Sequence, residues 1–112
     1  MLKRNPSNES RCLCFEVKEE YKNVFSDTFN KYFKTIYDLY SRDEFLAKGF
    51  LGDITKYKKH PIIDEFLGDF VAVAKSNYYF EYVKPVNEFV FKSHHAGLTK
   101  LEMEVPLIIY NK

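Results

Sequence analysis

The run Phe70-Val71-Ala72-Val73-Ala74-Lys75 constrains the fold more than any other segment. Five apolar residues in succession, two of them β-branched, read as a short central strand buried on both faces. Such a strand needs an apolar layer on each side, so the chain has to supply elements to cover two faces. With 112 residues it suits one small domain. A domain of that size buries roughly two-thirds of the surface its unfolded chain exposes, enough for a core without disulfides or metals. Hydrophobic residues make up 46% and charged residues 29%, the balance of a globular rather than a disordered chain. The 11 Phe and 9 Tyr give the core much area per residue.

The covering elements are legible from periodicity. Arg11 to Lys18 alternates and predicts a strand. Tyr21, Val24, Phe25, Phe29, Tyr32 and Phe33 recur at spacings of three and four, which predicts a helix from Glu19 to about Lys34. Thr35 to Tyr40 is β-branched and aromatic and predicts a second strand. Ser41-Arg42-Asp43-Glu44 is a capping box, so a short helix through Phe45 and Leu46 follows, closed by Gly49. Gly52 to His60 is polar and lysine-rich and reads as a surface loop. Pro61 can open another short helix, with Ile62, Ile63, Phe66 and Leu67 as its buried side and Gly68 as its end.

Tyr78 to Lys84 reads as a strand or an extended segment, and Pro85 to Lys92 predicts no particular element. Thr99-Lys100-Leu101-Glu102 is a second capping box, with room for about one helical turn before Pro106. Leu107 to Tyr110 predicts a closing strand. Residues 1–10 are polar, carry Pro6 and are expected to form a flexible lead-in. Residues 11–112 are then one small layered α/β domain, a mixed sheet with flanking helices, with the look of a piece of something larger.

A net charge of +1 gives no electrostatic reason to expect nucleic acid or an anionic membrane as partner. Cys12 and Cys14 share one face of their strand, where geometry is poor for a disulfide, and buried thiols suit a reducing cytoplasm. The N-terminus lacks the apolar stretch of a signal peptide, and no apolar run reaches the ~20 residues that span a bilayer. The expected location is cytoplasmic.

The chemistry-bearing stretch is Ser93-His94-His95-Ala96-Gly97-Leu98-Thr99. Imidazoles are common ligands for divalent transition metals, and small residues keep the backbone open for close approach. Adjacent residues of an extended segment point opposite ways, so at most one of the two histidines faces a given site. In loops, such pairs are more often exposed or hydrogen-bonded than metal-bound.

The register of His95-Ala96-Gly97-Leu98-Thr99 with Glu102-Met103 and Val105-Pro106-Leu107-Ile108 resembles the C-terminal signature of alkaline-phosphatase-superfamily metalloenzymes. Type I phosphodiesterase/nucleotide pyrophosphatases and PglZ-like proteins are the most similar. His60-Pro61 and Phe66-Leu67-Gly68-Asp69-Phe70 resemble the segment that precedes this signature. The resemblance implies a domain like the C-terminal part of the alkaline-phosphatase fold, within a two-metal hydrolase of phosphate esters or nucleotides. It assigns a zinc ligand, or a ligand to another divalent metal, to His95. His94 is then a neighbour, and Gly97, Thr99 and Glu102 are structural supports.

The family's nucleophile and its other ligand motifs do not appear. Asp38, Asp43, Asp53, Asp64 and Asp69 are not followed by His directly or four residues later, and Asp69 reads as a turn stabiliser. Since catalytic zinc ordinarily takes three protein ligands, the chain is expected to be inactive alone. It carries no catalytic residue and no other cofactor-binding residue. An upstream polypeptide or self-association would complete the site. The alternative is a non-catalytic α/β interaction module derived from that fold.

Overall fold

The structure, a computed structural model, describes residues 1–81 and 93–111. The central strand is where its composition puts it. β1 (Ser7–Glu9), β2 (Cys12–Phe15), β3 (Tyr37–Ser41) and β4 (Phe70–Ala74) form a four-stranded sheet in the order β1-β2-β4-β3. β4 is inserted between β2 and β3, and Val71, Ala72, Val73 and Ala74 are all buried.

Alternation along the strands sends side chains to two cores. On one face Leu13, Phe15, Tyr37, Ala72 and Ala74 pack with Phe25 and Phe29 of α1 (Lys22–Phe33). On the other, Cys12, Cys14, Val71 and Val73 pack with Phe45 and Leu46 of α2 (Arg42–Ala47) and Leu67 of α3 (Ile63–Leu67). The result is three layers, helix over sheet over helix.

The helix spacing predicted for α1 narrows to one stripe. Phe25, Phe29 and Phe33 lie four apart, and rings meet in series: Phe15 to Phe25 at 5.5 Å, Phe15 to Phe29 at 5.6 Å, Phe29 to Phe33 at 4.9 Å. Tyr21, Val24 and Tyr32 flank that stripe and stay exposed. The first turn, Glu19–Tyr21, is a 3₁₀ lead-in. The Ser41 capping box forms as predicted: Glu44 N–H donates to Ser41 Oγ at 3.3 Å, and Ser41 N–H donates to Glu44 Oε2 at 2.8 Å.

Three expectations change. The sheet is antiparallel rather than mixed, since β1–β2, β2–β4 and β3–β4 all pair antiparallel. Alternating strands and helices suggest parallel neighbours, and β2 and β3, joined through α1, do run the same way. β4 lies between them in the opposite sense, and no local pattern announces that insertion. Residues 1–10, expected as a flexible lead-in, supply edge strand β1, with Ser7 opposite Cys14 and Glu9 opposite Cys12. Leu2 also bridges Val17, and Lys3 N–H donates to Glu16 C=O at 2.9 Å, so backbone pairing holds a segment of polar composition. Leu107 to Tyr110 is not a strand of this sheet but an exposed tail without regular secondary structure. Of the segment Tyr78 to Lys84, residues to Glu81 form no strand; the remainder, and Pro85 to Lys92, fall outside the described residues.

Cys12 and Cys14 are buried and not disulfide-linked. Burial pushes the Cys14 thiol up to about 12, away from the thiolate. Among the described residues no helix is long and apolar enough to cross a membrane.

Candidate functional site

The His94–Glu102 stretch is fixed to the sheet by one ion pair. Arg11 closes the turn between β1 and β2 and is 7% exposed, the one charged residue buried among the described residues. Its Nε donates to Glu102 Oε1 at 2.5 Å and its Nη2 to Glu102 Oε2 at 2.8 Å, a two-pronged clasp that a planar guanidinium is shaped to make. Its remaining Nη1 donates to Ser76 C=O and Tyr78 C=O, each at 2.6 Å. Four hydrogen bonds thus tie three segments together, distributing a charge that would otherwise be costly to bury.

Glu102 lies on α4 (Lys100–Met103) and spends the rest of its carboxylate on the turn before it. It accepts from Gly97 N–H at 3.1 Å, from Thr99 N–H at 3.2 Å and from the Thr99 hydroxyl at 2.5 Å. Hydrogen bonds from Arg11 and Thr99, working against burial, hold its carboxyl down at about 2. Thr99 and Glu102 are supports, as the resemblance implies, but the anchor behind them is Arg11, 91 positions away.

Gly97 acts differently from expectation. The left-handed residue of the turn is Ala96, at φ 72. Gly97 is buried, and a Cβ there would collide with the Glu102 carboxylate. Its missing side chain makes room for that carboxylate rather than bending the backbone.

The two histidines differ in their surroundings. His94 faces inward: its ring stacks on Tyr79 at 4.1 Å, and its Nδ1 is 3.0 Å from Ser10 Oγ. It borders a cleft of about 340 Å³ with Arg11, Asn77, Tyr79, Ser93 and Glu102. His95 is exposed, and its ring has no hydrogen bond or ion pair with any described residue. Among the described residues no three His, Cys, Asp or Glu side chains stand close enough to hold a metal ion. His95 by itself therefore does not make a zinc site.

Three of the aspartates considered as ligand candidates serve local structure. Asp69 accepts from Val17 N–H at 2.8 Å and pairs with Lys22 at 3.1 Å, the turn-stabilising role its position after Gly68 suggests. Asp64 takes Lys59 at 2.7 Å, and Asp53 takes Lys56 at 3.4 Å, so part of the lysine-rich loop is neutralised locally. Arg11 is the residue sequence reasoning passed over. Its only local signal is an arginine at the mouth of an otherwise apolar strand.

No protein-family profile matches the chain, and no solved structure does. The chain is 32% identical over 81 residues to reticulocyte-binding protein homolog 1 of Plasmodium falciparum (isolate 3D7). That match covers 71% of this chain and 3% of the much longer relative.

Proposed function

We propose that this chain is the C-terminal segment of a metal-dependent phosphate-ester hydrolase of the phosphodiesterase/nucleotide pyrophosphatase type, in the alkaline-phosphatase superfamily. It contributes one ligand, His95, to a zinc or other divalent-metal site. The remaining ligands and the nucleophile come from an upstream polypeptide or from another chain, and the location is the cytoplasm. A phosphate ester or nucleotide is the substrate of the completed enzyme, and the segment is inactive alone.

One observation carries this reading. His95 is presented to solvent on a turn that the rest of the molecule holds in place, in the order of residues that resembles the superfamily's signature. The left-handed Ala96, the room left by Gly97 and the Arg11–Glu102 clasp all fix the backbone beside an imidazole that no described residue uses. A backbone held in place beside an unengaged, exposed imidazole leaves that ring available as a ligand. The match to the Plasmodium protein adds no function, because it spans so little of that protein.

With zinc present, the chain alone is expected to leave a nitrophenyl phosphate ester uncleaved, for want of a nucleophile and further ligands. Robust metal-dependent turnover by these 112 residues would contradict the segment reading. A second reading, a non-catalytic interaction module, is favoured by the exposed apolar tail; under it His95→Ala leaves partner binding unchanged.

A further inference from the structure

The tail after α4 has the composition of a buried strand and the exposure of none. Val105, Leu107, Ile108, Ile109 and Tyr110 are 75–89% exposed. No backbone hydrogen bond joins residues 105–111 to any described residue. β-Branched and aromatic residues favour pleated, packed surroundings, and a strand apolar on both faces suits a sheet covered on both faces. This protein's own sheet is of that kind. β3 is its edge, pairing among the described residues with β4 alone. Leu39 of β3 borders the α1 core, and Tyr40 borders the α2 and α3 core.

We propose that the tail of one copy pairs with the β3 edge of a second copy, and the reverse, giving a two-fold dimer. The lengths agree: β3 has five residues, and Leu107 to Asn111 is five residues once Pro106, which has no N–H to give, is passed. Leu107 and Ile109 would extend one apolar layer of the partner and Ile108 and Tyr110 the other. Exchange in both directions is a self-complementary contact, so it closes rather than propagating into a filament. The area is sufficient. At about 100 Å² per apolar side chain, the four of a paired tail hide about 400 Å². Two tails with the surfaces they cover reach about 1,600 Å², within the range of stable protein interfaces.

The test is the mass in solution of the full chain, by sedimentation velocity or light scattering across micromolar concentrations. A dimer is expected. Deleting residues 105–112 should convert it to a monomer of unchanged far-ultraviolet circular dichroism, and Ile109→Pro should weaken it at least tenfold by removing a pairing amide. An equal mixture of the Asp38→Cys and Tyr110→Cys chains should form a disulfide between unlike chains. A monomer at every concentration, a dimer that survives the deletion, or no cross-link between unlike chains would overturn the proposal. His95→Ala should leave the dimer intact, so this result stands apart from the hydrolase reading.

Discussion

Glu102→Ala is expected to lower folding stability by about 3–5 kcal/mol, the usual result of removing one partner of a buried ion pair. The variant leaves the Arg11 guanidinium buried with only the Ser76 and Tyr78 carbonyls to receive its protons. It also strips the acceptor from Gly97, from Thr99 N–H and from the Thr99 hydroxyl. Urea unfolding of the variant beside the parent measures the loss. The double variant Arg11→Met, Glu102→Leu should lose much less than the two single variants together, because no charge is then stranded.

The same pair sets an acid limit. Glu102 has its carboxyl held at about 2 against an ordinary 4.5. A carboxylate depressed by folding contributes its stability in full above the ordinary value and loses it as pH falls through the folded one. The separation corresponds to roughly 3 kcal/mol. Stability should therefore fall between pH 4.5 and 2, and Glu102→Gln should remove most of that slope. A parent and variant with equal slopes would show that the clasp is weaker than its geometry.

Gly68→Ala should cost at least about 3 kcal/mol, since it combines backbone strain with a steric clash. Gly68 sits at φ 65 and ψ −140, a region essentially closed to residues with a side chain. A Cβ there would lie 2.6 Å from the Phe15 carbonyl oxygen and 2.9 Å from its carbon. Neither can retreat. That oxygen accepts from Asp69 N–H at 2.8 Å, and Phe15 is paired with Phe70 across the sheet. Denaturant unfolding reads the effect; a loss below about 1 kcal/mol, or the gain that glycine-to-alanine gives where the backbone tolerates it, would contradict it.

Local pattern made most elements legible and left their assembly hidden. The helix at Lys22–Phe33, the capping boxes at Ser41 and Thr99 and the doubly buried strand at Phe70–Ala74 follow from periodicity, hydrogen-bonding residues and apolar runs. The insertion of β4 between β2 and β3 does not, because strand order depends on contacts distant in sequence. The pairing of residues 7–9 was hidden for another reason: an edge strand recruits backbone groups, which polar residues carry as well as apolar ones. At the candidate site, the alternation expected of adjacent residues allows only one histidine to face a given site, and His94 and His95 do differ in exposure. The role of Arg11 was not legible, since nothing near Arg11 in sequence points to Glu102.

The central claim is that His95 is a metal ligand held on a fixed turn, and a zinc titration read at the histidine ring resonances tests it most directly. The account predicts a weak, saturable shift at His95, none at His94, and loss of the response in His95→Ala with the fold intact. A response at His94 instead, or none at His95 at any zinc concentration the protein tolerates, would contradict it.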